Sequence, residues 1–254
     1  MMRRAIHVAS LSLLSCVLNL VACADAQELP SAREIAAAMK ASSLSAGFQL
    51  RMRISGTDSD LPRTLKLAII GQFEPDRARL AFRVVAPETL RNQSIVAQYR
   101  SGTQPSAAHY GERGDAGDLA IDPYARLFDA QLVPADMFAA WWDWPQQTLG
   151  ESMRIDGRDC TVVHSRSGTQ SGPLREVDSC VDFKGKLALR TQIFAAGHAM
   201  LRTITVEKTM RKEDGSLAAR RLTVKAADGA WSTAEVYDGD EHYRASAANF
   251  PGLD

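Results

Sequence analysis

The sequence predicts an α+β protein built on one large, curled antiparallel sheet of about ten or eleven strands, interrupted once by a helical insert. Three observations carry this. Most of the chain alternates apolar and polar residues with a period of two. In "FQLRMRI", Phe48, Leu50, Met52 and Ile54 alternate with Gln49, Arg51 and Arg53, as expected of a strand with one dry and one wet face. The connections are short and carry Gly, Pro or Asp, as antiparallel hairpins require. A single internal segment, "DMFAAWWDWPQQ" (Asp136 to Gln147), abandons the alternation and holds three of the four tryptophans.

The chain opens with Arg3 and Arg4, continues through an apolar run from Ala5 to Cys23, and closes that run with the small residues of "ACADAQ". This is the layout of a secretory signal, expected to span residues 1–26 and to leave residues 27–254 as a single domain. His7, Ser10, Ser12, Ser15 and Asn19 dilute the run, which argues against a retained spanning helix. Two cleavage chemistries fit. Ala24-Asp25-Ala26 is a small-x-small site that frees Gln27, whereas "LVAC" resembles a bacterial lipobox and would leave Cys23 as a lipidated N-terminus. Either route exports the protein, so it is expected in the periplasm, soluble or anchored through Cys23. Loss of Arg3, Arg4 and Asp25 leaves 28 basic and 29 acidic groups of the original 30 and 30. A nearly neutral chain without a basic stripe speaks against a nucleic-acid partner and against a charged membrane surface.

The elements follow in order. "SAREIAAAMKAS" is expected to be a helix, with Ser31 as N-cap, Glu34 completing a capping box, and Ile35, Ala38 and Met39 as its apolar stripe. Strands follow in "FQLRMRI", "LKLAIIGQF", "RLAFRVV" and "SIVAQYR", and later in "MRI", "KLALRTQIF", "RTITVEK", "RRLTVKA" and "STAEVY", with turn signals "AAGH", "EDG" and "ADG" between the later ones. Between these two groups, Pro134 fits the first turn of a short helix and Pro145 ends it. At about 100° per residue, Met137, Ala140, Trp141 and Trp144 form one stripe, and Phe138 and Trp142 widen the apolar arc to roughly 200°. One-sided packing on a sheet needs about half of that arc. The helix is therefore either fully enclosed, an aromatic plug in the core, or touches core on one side and a ligand space on the other. On the second reading Trp141 and Trp144 face inward, and Trp142 and Phe138 border the ligand.

After removal of the leader only Cys160 and Cys180 remain, an even pair in an oxidising compartment. "CTVVHSR" and "LREVDSC" read as strands around the turn-rich "SGTQSG". A hairpin centred on Gln170 sets Cys160 opposite Cys180, within disulfide reach, and pairs Val163 with Val177 and His164 with Glu176.

Local catalytic or metal motifs are missing. The histidines are scattered, no CxxC occurs, and "GERGDAG" lacks the order and context of a phosphate loop. "DGDEH" (Asp238 to His242) is the nearest approach to a metal site, and such acidic turns are generally just solvated. No enzyme activity and no cofactor are expected.

The order of elements, with "RLAFRVVAPETLRNQSIVAQY", "GRDCTVVHS" and "CVDFKGKLALRTQIF", resembles the bacterial outer-membrane lipoprotein-sorting protein family, related in fold to the carriers LolA and LolB. The telling pieces are the Ala86-Pro87-Glu88 turn, the Asp156-to-Cys160 strand start and the "VDFKGKLALR" strand pair. The resemblance implies an open half-barrel whose concave face is covered by short helices, with acyl chains or other greasy cargo held between the two. It further implies a monomeric carrier or receptor for a lipid or lipidated protein, working with an inner-membrane transporter or an outer-membrane receptor. Trp142, Phe138, Trp141, Trp144 and Met137 are then the candidate ligand contacts. The same resemblance admits a stress-sensing regulator or an accessory protein of a lipid exporter; an envelope hydrolase is the remaining alternative.

Overall fold

Alternation becomes architecture in β1 (Ser45–Gly56), where Met52 and Ile54 are buried and Arg51 and Arg53 are exposed. β2 (Leu65–Phe73), β3 (Arg77–Ala86) and β4 (Ser94–Arg100) repeat the pattern and send Leu67, Ile69, Leu80, Phe82, Ile95 and Ala97 into the same core. The structure, a computed structural model, describes residues 30–56, 64–111, 119–168 and 172–251. The expected leader, with Cys23, and residues 169–171 in the turn between the cysteine strands lie outside the described residues.

Among the described residues the sheet has 13 strands, more than the ten or eleven expected. The additions are β5 (Ser106–Tyr110) and β6 (Leu119–Ile121). They were illegible because "SAAHY" has no bulky alternation and "LAI" is three residues long. The rest are β7 (Gln146–Ile155), β8 (Arg158–Arg166), β9 (Glu176–Asp182), β10 (Leu187–Phe194), β11 (Met200–Arg211), β12 (Leu217–Ala226) and β13 (Trp231–Asp240). The order is β6-β5-β4-β3-β2-β1-β13-β12-β11-β10-β9-β8-β7. First and last strands meet in the middle of the sheet, and both open edges come from the middle of the chain. Residues 122–145, which join those two edges, must cross the sheet. They do so on the concave face, as a strap.

Contacts along the strap record the crossing. Leu127, Ala130, Leu132 and Phe138 join the core of β1 to β5. The Gln131 backbone N–H donates to Ser232 Oγ on β13 at 3.0 Å, Asp136 pairs with Arg202 on β11, and Trp141 packs on Val177 of β9 and Ile193 of β10. Helix α1 (Ala32–Ser43) carries the expected Ser31–Glu34 capping box and buries Ile35 and Met39 against Val163 and Val181. It is tied to the strap by Lys40, whose Nζ donates to Asp143 Oδ1 at 2.6 Å; Tyr99 Oη donates to the other oxygen at 3.0 Å. Behind the sheet, Phe250 covers Val96 and Tyr110 on the convex face, and the Tyr110 hydroxyl donates to the Pro251 carbonyl.

The strap is not the single short helix expected. Two 3-10 turns, Pro134–Phe138 and Ala140–Asp143, flank Ala139 in the left-handed region at φ 48° and ψ 42°. A continuous helix would spread its aromatic side chains around an arc wider than one face of a sheet can bury. The break at Ala139 resolves this by sending Phe138 to the β1–β5 half and Trp141 to the β9–β10 half. Burial of two large rings outweighs the roughly 1–2 kcal/mol cost of a left-handed alanine.

The disulfide between Cys160 and Cys180 is present, with Cα atoms 5.3 Å apart. Its hairpin register differs by two residues from the expected one. Val162, not Cys160, pairs with Cys180, and His164 pairs with Asp178, so the two cysteines meet diagonally. A two-residue shift leaves every side chain on its own face. It also sets His164 against Asp178 and Arg166 against Glu176, at 2.7 and 3.3 Å, an opposite-charge pairing the expected register lacked for Arg166. The cysteines lie on the convex face with Val162 and Leu189, away from α1.

Candidate ligand groove

Where the strap and α1 end, the concave face opens. The C-terminal end of α1 (Ser42 to Leu44), the start of β1, the β11–β12 hairpin and the end of β13 enclose a groove of about 1230 Å³. That exceeds the roughly 300–1,000 Å³ typical of small-molecule pockets. Phe48, Leu50 and Val236 form an apolar floor that packs on the main core beneath, and Met210 and Leu44 extend it. Leu44, at the C-cap of α1, is 41% exposed.

Bulges in β13, β12 and β11 shape this end. Asp238 and Val236 pair with the adjacent residues Arg51 and Met52, which leaves Tyr237 as an extra residue on β13. Ala219 and Arg221 pair with the adjacent residues Thr209 and Lys208, which leaves Arg220 as an extra residue on β12; next to it Glu207 of β11 is skipped between Val206 and Lys208, so the register recovers. Tyr237 and Arg220 line the groove. A bulge bends its strand, raises the local twist and re-aims a side chain, so the groove and its wall residues share one cause. Gly47 is required beside them: a Cβ there would lie 2.3 Å from the Tyr243 carbonyl oxygen and 2.6 Å from the Ala245 nitrogen.

The rim is polar. Glu213 meets His242 at 3.1 Å, Asp238 meets Arg51 at 3.5 Å, and Asp240 accepts the His242 backbone N–H at 2.8 Å. Asp214 accepts from the Ser216 hydroxyl and backbone N–H, which, with help from Lys212 and Lys186, hold its carboxyl below the ordinary value. No group of three or more His, Cys, Asp or Glu positioned for a metal occurs among the described residues, "DGDEH" included.

The sequence-derived ligand contacts lie elsewhere. None of Met137, Phe138, Trp141, Trp142 and Trp144 lines the large groove. Phe138 is buried against Tyr99 and Phe73, with Met137 half-buried on the same core. Trp141 is 4% exposed, and its indole N–H has no hydrogen-bond partner among the described residues. Trp142 is half-buried, 6.3 Å from Trp141 and packed toward α1. Trp141 and Trp144 line a separate cleft of about 160 Å³ with Tyr99 and Tyr124. Burial and the nearby Asp136 and Asp122 push the Tyr124 hydroxyl up to about 12. Phe138 and Trp142 line a recess of only about 30 Å³, which shares Ser43 and Leu44 with the large groove. Beneath the strap, burial pushes the Asp136 carboxyl upward against the opposing pull of Arg202. Sequence reasoning missed the groove because its wall comes from four separated segments. The one local signal was the exposed-looking "DGDEHYR" at the end of the last strand.

Among the described residues no helix is long and apolar enough to cross a membrane. No protein-family model and no curated protein matches the chain. Solved structures do. A domain assigned as an outer membrane lipoprotein-sorting protein, from Vibrio parahaemolyticus, superposes with a TM-score of 0.75 at 12% identity, over 87% of this chain and 96% of that one. A DUF1329 family protein from Desulfovibrio piger gives 0.76 at 13% identity, with the same coverage of 87% and 96%. A LolA superfamily protein from Nitrosomonas europaea gives 0.68 at 14%, over 87% and 98%. At these identities the likeness is one of fold. This chain, with its one large, open antiparallel sheet, has a LolA/LolB-like fold.

Proposed function

We propose that this protein is a periplasm-facing carrier or receptor that holds a lipidic or acylated ligand in the concave groove, without catalysing a reaction. The observation that carries the reading is the groove itself, about 1230 Å³ with an apolar floor of Phe48, Leu50 and Val236. The lipoprotein-sorting name of one similar structure supports it. Burying acyl methylenes there would contribute about 0.8 kcal/mol each. Residues 1–26 act as the export signal, cleaved before Gln27 or before a lipidated Cys23, and residues 27–254 form the carrier domain. The partners are a lipid or lipidated protein and a membrane component at either end of its route; the carrier works as a monomer.

The strap aromatics retain a part in this proposal. Ser43 and Leu44 separate the groove from the recess lined by Phe138 and Trp142. Rotation of the exposed Leu44 side chain would join the two spaces and bring both rings to the ligand. Trp141, Trp144 and Met137 then support the strap from behind. Native mass spectrometry of the gently purified exported protein tests the function. A co-purified lipid mass, or uptake of fatty-acyl probes that Leu50→Glu abolishes, is the expected result. A clean apo mass with no probe uptake would reject it, and a stoichiometric membrane regulator recovered without lipid would favour a sensor instead.

A further inference from the structure

The charges around the groove are not equally engaged. Glu213, Asp238 and Asp240 are occupied by His242, Arg51 and the 242 backbone N–H, and Asp214 by Ser216. Arg220 and Arg244 line the same groove, yet neither makes a hydrogen bond or ion pair among the described residues. Lys212, also on the wall, has among the described residues only the longer-range attraction of Asp214. Two guanidinium groups therefore stand unpaired beside an apolar floor. Arg220 is moreover the extra residue of the β12 bulge, a feature that re-aims side chains next to binding sites.

Guanidinium is the side chain that matches phosphate oxygens with paired donors. We infer that the groove takes an amphiphile whose head carries a phosphate, with the acyl chains on Phe48, Leu50 and Val236 and the phosphate held by Arg220 and Arg244. This rests on the reading of the groove as the lipid site, and it narrows the ligand class from any acylated molecule to a phospholipid-type one. Glu241, the one groove acid left without such a partner among the described residues, makes a head that also bears an ammonium group the better fit than a purely anionic one.

Binding of phosphatidylethanolamine and of diacylglycerol with identical chains, each presented to the full exported protein, tests the inference. The phospholipid should bind about tenfold or more tightly, the scale of one charge-assisted contact. In the Arg220→Gln, Arg244→Gln double variant, the ratio of the two affinities should fall toward one. Retained thermal unfolding in that variant would show that the loss is local. Equal affinities in the unsubstituted protein would overturn the phosphate head and leave the lipid groove standing. Binding of neither lipid would overturn the groove reading, and this inference with it. Inorganic phosphate should not displace the lipid. Displacement at concentrations comparable to those of the lipid would mean a bare phosphate site and overturn the amphiphile.

Discussion

Arg202 reaches from β11 to clasp both carboxylate oxygens of Asp136, through its Nε and its Nη2. The side chains are only 11% and 5% exposed, so this ion pair pins the middle of the strap to the sheet from beneath. Removing one partner strands the other charge in a dry site. Asp136→Ala or Arg202→Met should each cost about 3–5 kcal/mol in denaturant unfolding, while the double Asp136→Leu, Arg202→Met variant should recover much of the loss. A double variant as unstable as the singles would show that the pair is not coupled in this way.

Trp141 and Trp142 are neighbours in sequence with different surroundings. Trp141 is buried between Leu174, Val177 and Ile193, whereas Trp142 is half-buried and lines the recess next to Leu44. Trp141→Ala should lose about 3–5 kcal/mol as a large-to-small core change. Trp142→Ala should lose clearly less, and should weaken acyl-probe binding more than it weakens folding. Because three of the four indoles sit in the strap, intrinsic emission should shift when the probe binds. Equal destabilisation by both substitutions, with emission indifferent to the probe, would make the cluster core alone.

The disulfide closes a loop with a sequence separation of 20. Replacing Cys160 and Cys180 together by Ala should lower unfolding stability by roughly 3 kcal/mol on the chain-entropy view. Fold and groove should persist, since the bond lies on the convex face with Val162 and Leu189. Peptide mapping without reductant should recover the two cysteines joined; two free thiols would be the contrary result.

Acid should loosen α1 before it unfolds the sheet. The Ser31 hydroxyl and backbone N–H hold the Glu34 carboxyl below its ordinary value. A lowered folded-state pKa means that Glu34 stabilises the fold fully above the ordinary carboxylate range, and that this contribution disappears as pH falls through the lowered value. Melting temperatures of the unsubstituted protein and Glu34→Gln should therefore differ near neutral pH and converge in acid. A gap that stays constant down to acid would remove Glu34 as the titrating group.

The capping box of α1, the alternating strands and the cysteine pair were legible in the sequence because each depends on residues close together or on a fixed local period. Ser31 and Glu34 need one helical turn, and Met52 and Ile54 need only the pleat. The hairpin face of Cys160 was readable for the same reason, but its register was not. A shift of two residues preserves every face, so only the pairing of Arg166 with Glu176 and His164 with Asp178 in three dimensions chooses between the alternatives.

The strap and the groove belong to the tertiary structure alone. No local rule places Asp136 beneath Arg202, or breaks a promising helix at Ala139. Both follow from a segment that must bridge the two edges of the sheet and deliver its rings to different halves of the core. The groove is more remote still from the one-dimensional chain. Leu44, Leu50, Arg220 and Val236 come together only because the first and last strands pair and bulges twist that end of the sheet. Periodicity determines which side of a strand is dry. What that dry side encloses depends on which strands become neighbours, and closing contacts that far apart in sequence is a property of the whole fold.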